Sequence, residues 1–263
     1  MTPDPHTARL QQLRAAMARS GVALTAIAPT SNMRYLLGFS PFADERLCLL
    51  LVSPTGTRLV VPELTADQME ARTGVAGVSW SDDAGPEKAL RQALEDIDGV
   101  GPTRLAVDGA MRADALLPLQ ELAKPDRTIA AVDLMGPLRA RKSAEEIEAL
   151  ARAAAQADRA MTVGLEACEP GIREREVGER IARYFREDGA EEVHATLVAS
   201  GPNSGFPHHE AGDRPLEMGD TVVLDIVATL DGYNSDITRM VHLGEPSGEV
   251  ETVYETVLQA NRR

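Results

Sequence analysis

Apolar positions in the first half of the chain recur with two alternating periods. Leu10, Leu13 and Met17 keep the spacing of one helix face, and Gly21 supplies a stop just past it. Apolar runs at residues 22–28, 46–52 and 58–61 predict strands, the second closed by the turn Ser53-Pro54-Thr55-Gly56. A shorter strand is predicted at Gly77–Trp80. Helical patterns at residues 86–94 and 113–122 enclose a further strand at 105–107, with Pro118 a mark against the second helix because proline has no N–H. Helices alternating with strands predict an α/β domain with a mixed sheet over residues 1–136.

Near Leu134-Met135-Gly136-Pro137 the texture changes. Residues 137–142 carry Arg139, Arg141 and Lys142 and read as an exposed linker, opening a second domain over residues 137–263. Ser143, with Glu146 three residues later, forms a capping box ahead of a long helix. Its predicted core stripe is Ile147, Leu150, Ala154 and Met161. A second helix buries Val177, Ile181 and Phe185 and stops at Gly189. Beyond it, residues 194–200 form a strand, Gly201–Gly205 a loop by composition, and Thr221–Leu230 a strongly apolar strand. A last helical pattern starts near Glu249, with Val250, Val253, Val257 and Leu258 apolar, and the chain stops inside it at Arg263.

The strand at Thr221–Leu230 holds a carboxylate, Asp225, between apolar neighbours. An ionised carboxylate is costly to bury and is expected to pair, neutralise or bind a metal. Asp231-Gly232 is a strong two-residue hairpin signal. Centring the turn there pairs Leu230 with Tyr233, Val227 with Asp236, and Asp225 with Thr238. Side chains alternate, so Asp225 and Asp236 share one face as diagonal neighbours, roughly 7–8 Å apart at their backbones. Two carboxylates converging from that separation can reach a pair of metal ions about 3.5–4 Å apart. A three-residue loop or a bulge would put them on opposite faces. The bland alternative is an acid at an exposed strand edge, and ordinary turn chemistry accounts for Asp231.

Of five histidines, His6 is terminal, His242 lies past the hairpin, and His194 reads as a structural strand residue. Pro207-His208-His209-Glu210 ends the Gly/Asn/Ser loop shortly before the strand that carries Asp225. A loop imidazole beside a metal site can donate to a developing oxyanion or shuttle a proton. Without the neighbouring acids, the pair would read as two exposed loop histidines, and the pattern does not choose between them.

Composition narrows the partners. The formal net charge of −14, with no Lys/Arg cluster, argues against nucleic acid as a partner, since its binding draws on clustered cations. The N-terminus lacks the charged-then-apolar form of a secretory signal, and no segment approaches the roughly 18 apolar residues of a spanning helix, so no membrane partner and a cytoplasmic location are expected. The two cysteines, Cys48 and Cys168, suggest no disulfide framework, and Cys48 sits in an apolar run as a small core residue.

Three stretches, residues 198–209, 218–225 and 232–240, closely resemble the Xaa-Pro peptidase family of prolidases and aminopeptidase P. Residues 138–147, 32–39 and Glu45-Arg46 resemble it too, so that the likeness covers essentially the whole chain. It implies a creatinase/prolidase-type N-terminal domain followed by part of an α+β "pita-bread" catalytic domain, the fold shared with methionine aminopeptidases. It matches Asp225 and Asp236 to the family's first two metal ligands. His208, rather than His209, matches the histidine that contacts substrate and stabilises the tetrahedral intermediate. The implied reaction is hydrolysis of the bond before proline in a dipeptide or short peptide, using two divalent ions (Mn²⁺, Co²⁺ or Zn²⁺). The N-terminal domain would restrict substrate length, often from the partner in a homodimer. The family completes its site with a later histidine and two glutamates. After Asp236 this chain has only His242, Glu245, Glu249, Glu251 and Glu255, none in a matching motif. The chain as given is therefore expected to be inactive, as a fragment of a longer enzyme or as a shortened relative serving as a binding or dimerisation module. Creatinase-type amidinohydrolases share both domains but lack the aspartate pair.

Overall fold

The computed structural model describes residues 5–101 and 103–263. It divides into two compact units, Met1–Arg141 and Lys142–Arg263.

In the first unit, helix α1 (Pro5–Ser20) leads to β1 (Leu24–Ile27), α2 (Ser31–Leu37), β2 (Leu49–Val52), β3 (Thr57–Pro62), α3 (Glu63–Thr73) and β4 (Gly77–Trp80). Next come α4 (Glu87–Glu95), β5 (Arg104–Val107), α5 (Ala113–Ala123), β6 (Arg127–Ala130) and α6 (Val132–Ala140). The sheet runs β4-β3-β2-β1-β5-β6. It is mixed, as expected: β1, β5 and β6 are parallel neighbours, whereas β2 runs antiparallel to both β1 and β3. Both faces are covered. Leu50 joins Leu13, Met17, Met33 and Leu134 on one side, while Leu49 and Leu51 join Trp80, Leu90, Leu94 and Leu105 on the other. A strand buried on both faces has no polar positions to alternate, which is why this stretch reads as an unbroken apolar run.

Several expectations need correction. Residues read as an exposed linker continue as helix through Ala140, because buried Leu134 and Met135 anchor α6 and Pro137 removes only one hydrogen bond. Pro118 likewise lies inside α5, held by buried Leu119 and Leu122. Helices α2 and α3 and strand β6 were not anticipated. The ends of α2 carry ordinary signals: Thr30 accepts from the Asn32 N–H, and Gly38 closes the helix at φ 76°. Helix α3 buries only Met69 and so has no apolar stripe to detect.

The second unit consists of α7 (Ala144–Ala167), α8 (Glu174–Glu187), β7 (Glu192–Ser200), a 3₁₀ turn (Gly201–Gly205), β8 (Thr221–Leu230), β9 (Tyr233–His242) and α9 (Gly248–Asn261). Its sheet is antiparallel in the order β7-β8-β9. The capping box of α7 forms: Glu146 N–H bonds Ser143 Oγ at 3.3 Å, and Ser143 N–H bonds Glu146 Oε2 at 2.9 Å. Of the predicted stripe of α7 only Met161 is buried; Ala154 is exposed and Leu150 half-buried. Ile147 is exposed, and the buried face is Ala149, Ala153, Ala157, Ala160, Met161 and Gly164. Small side chains let this helix lie close to its neighbours; a Cβ on Gly164 would stand 2.7 Å from Ile181 Cδ1. The face of α8 is the expected one, with Val177, Ile181 and Phe185 fully buried. Together these helices cover Val222, Leu224, Ile226 and Ala228 on one side of the sheet. Helix α9 buries none of its residues, leaving Val253, Tyr254 and Val257 exposed.

Candidate active site

Asp231 and Gly232 adopt φ of 52° and 77°, both left-handed, as a two-residue turn between right-twisted strands requires. The resulting register pairs Leu230 with Tyr233, Val227 with Asp236, and Asp225 with Thr238. Asp225 and Asp236 therefore share one face of the β8–β9 hairpin. That face is the open one. Leu224 and Ile226 point the other way, toward α7 and α8, so Asp225 is half-buried and not enclosed in apolar surroundings. Its Oδ1 accepts the Thr238 hydroxyl at 2.6 Å.

Two carboxylates on adjacent strands of one face fit two of the ligands of a metal site. They do not complete one, since a held divalent ion takes four to six donors. Among the described residues no group of three His, Cys, Asp or Glu side chains is placed to bind a metal. His242 is not beyond the hairpin but ends β9, paired with Thr221, and its Nδ1 lies 3.2 Å from that hydroxyl. It shares the open face with Asp236 but sits six residues along the strand, about 20 Å away at the ordinary rise. His194 is bound into the sheet through Nε2 and Thr229 Oγ1 at 2.7 Å.

The histidine loop is organised by a residue that sequence reasoning overlooked. Glu174, the first residue of α8, is fully buried. Its Oε1 accepts from Ser200 N (2.8 Å), Ser200 Oγ (2.7 Å) and Asn203 Nδ2 (3.0 Å). Its Oε2 lies 2.8 Å from His209 Nε2 and accepts from Gly212 N at 3.3 Å. Burial alone would raise the Glu174 pKa, but the donors from Ser200, Asn203 and His209 outweigh it and hold the carboxyl at about 2. Ser200 Oγ in turn accepts from Arg214, which makes a two-point contact with buried Asp220 at 2.6 and 3.0 Å. A chain of charges thus ties the start of α8 to the end of β7 and the entry to β8. Nothing in Arg173-Glu174-Arg175-Glu176 distinguishes Glu174 from a solvated acid at a helix N-terminus.

Gly201 sits inside this network with φ 49°, and a Cβ there would collide with Asp220 Oδ1 and approach Arg214 Nη2 at 2.8 Å. Gly201→Ala is expected to lower stability by about 1–3 kcal/mol, through backbone strain and a displaced ion pair. Urea unfolding of the two proteins checks this; equal midpoints would show that the turn adapts freely.

His208 is exposed and lines an open groove with His209, Arg175, Arg183, Arg186 and Leu197. Leu197 is also the cross-strand partner of Asp225. Neither Asp225 nor Asp236 is among the residues lining that groove. Both cysteines are buried, which pushes the Cys48 thiol up to about 12 and that of Cys168 up to about 11.

Residues 148–263 match the family described as Metallopeptidase family M24, and residues 9–141 match the Creatinase/Prolidase N-terminal domain. The probable dipeptidase PepE of Mycobacterium tuberculosis is 34% identical over 265 residues, spanning 98% of this chain and 69% of that protein. The chain belongs to metallopeptidase family M24. The Xaa-Pro dipeptidase of Pyrococcus furiosus is 29% identical over 97% of this chain and 70% of its own length. The crystal structure of the recombinant prolidase from Thermococcus sibiricus superposes with a TM-score of 0.89 at 31% identity, covering 99% of this chain and 71% of that one. The α/β unit with its mixed sheet followed by a unit of the pita-bread type, read from the sequence, is the architecture of this M24 chain. No helix among the described residues is long and apolar enough to cross a membrane.

Proposed function

We propose that this M24 chain carries the Xaa-Pro dipeptidase or aminopeptidase activity, hydrolysing the bond before proline in dipeptides or short peptides. Asp225 and Asp236 are two ligands of its divalent metal site, and His208 is the loop imidazole that meets the substrate. The observation that supports the reading is the hairpin register, which sets both carboxylates on the open face of β8 and β9. Bound divalent ions, Mn²⁺, Co²⁺ or Zn²⁺, supply polarisation of the scissile carbonyl and activation of water. The chain's own residues do the rest. The two carboxylates hold positive charge at the hairpin, and the exposed imidazole of His208 donates to the carbonyl oxygen as that oxygen gains charge. The first unit restricts peptide length, acting from the partner in a homodimer. Two aspartates supply only part of a divalent ion's coordination, so the site takes further donors besides this pair.

The test compares hydrolysis of Xaa-Pro and Xaa-Ala dipeptides by the complete gene product with added Mn²⁺, Co²⁺ or Zn²⁺. Metal-dependent preference for Xaa-Pro is expected. In the same assay His208→Ala should lower kcat by about 10²-fold, the usual cost of losing one donor to a developing oxyanion. A second reading is a non-catalytic binding or dimerisation module. It is distinguished by the absence of hydrolysis with every metal.

A further inference from the structure

We propose that Glu174 is the positioning residue of the histidine loop: it fixes His209 with the proton on Nε2, making His209 a strut and presenting His208 as the exposed imidazole of the groove. The role assigned to His208 rests on the function proposed above; the pairing of Glu174 with His209 does not.

The argument starts from the number of donors. An ionised carboxylate only accepts, and has about four lone-pair positions. Glu174 meets five donor atoms from the end of β7, the 3₁₀ turn, His209 and Gly212. Its side chain is 0% exposed and that of His209 is 18% exposed. At 2.8 Å from a carboxylate oxygen, His209 Nε2 must carry the proton, which leaves Nδ1 bare in the neutral ring. The Nε2 edge of the ring is thereby committed to a buried charge. His208, next in the chain, is exposed and lines the groove without such a tie. The buried end of the network is anchored in turn, because Ser200 Oγ donates to Glu174 and accepts from Arg214, whose other nitrogen bonds Asp220. The loop between residues 200 and 212 is therefore held at both ends by one carboxylate.

Glu174→Gln tests this without changing shape. Three donors converge on Oε1, so the amide oxygen settles there and the NH₂ group faces His209. The ring can keep a hydrogen bond only by moving its proton to Nδ1. ¹⁵N NMR of the imidazoles, recorded at alkaline pH, is expected to show the Nε2–H form of His209 in the wild-type chain and the Nδ1–H form in Glu174→Gln. Nδ1–H in the wild type, or an unchanged tautomer in the variant, overturns the pairing. In the complete gene product, Glu174→Gln is expected to lower kcat about tenfold with KM within twofold, and His209→Gln, which keeps a donor, to recover most of the loss caused by His209→Leu. Wild-type kcat in Glu174→Gln despite an inverted tautomer overturns the positioning role, as does an equal loss in the two His209 variants. If the wild-type product cleaves no Xaa-Pro dipeptide, the proposed function fails while the NMR result still decides the pairing. Should Glu174→Gln not fold, the wild-type spectrum and the His209 pair decide instead.

Discussion

Asp225→Ala is expected to lower metal-dependent Xaa-Pro hydrolysis by the complete gene product at least about a hundredfold, with little change in stability. Loss of a group that merely supports a metal ligand already costs 10- to 100-fold in affinity or activity, so loss of a ligand costs no less. The stability cost is small because Asp225 is half-exposed and, among the described residues, its side chain is bonded by the 2.6 Å contact from Thr238, worth about 0.5–1.5 kcal/mol. Asp231→Asn is the control. Asp231 is a turn residue with an exposed ion pair to Arg152, and such pairs contribute little. Its replacement should leave activity intact. Dipeptide kinetics and metal content of the three proteins check this, and full activity in Asp225→Ala would show that the ligand assignment is wrong.

The second large effect is acid sensitivity centred on Glu174. Its carboxyl is lowered from 4.5 to about 2 in the folded protein, because the ionised form collects donors that outweigh the cost of burial. A depressed carboxylate pKa stabilises the fold fully above the unfolded value and loses that stabilisation as pH falls through the folded one. The window therefore runs from about pH 4.5 down to about pH 2, and a shift of that size corresponds to about 3 kcal/mol. Wild-type protein should exceed Glu174→Gln by roughly this amount at neutral pH, and the gap should close toward pH 2. Urea midpoints of both proteins across that range provide the measurement. A difference independent of pH would mean that the amide is disfavoured by shape and not by lost charge.

The two halves of the candidate site differ in how far the sequence alone reveals them. The hairpin is local. Asp231-Gly232 selects a two-residue turn, strand pairing propagates from it, and period-two alternation then places Asp225 with Asp236. The inference that Asp225 is enclosed by apolar neighbours failed for the same geometric reason, because Leu224 and Ile226 alternate to the opposite face. Apart from Met161, the face of α7 was misread because its other contacts are made largely by alanines and Gly164, whose value lies in close approach and not in hydrophobic bulk. Helix α2 was legible but unread, with Thr30 and Gly38 marking its ends.

What the sequence by itself determined is thus the class of each unit, the hairpin register and the identity of the acids and histidines that could act. Only the tertiary structure decided that Glu174 is buried and that His209 is tied to it while His208 is not. Those facts depend on residues 26 to 38 positions apart meeting at one carboxylate. A carboxylate's burial and hydrogen bonding follow from what surrounds it in space, and no periodicity along the chain records that.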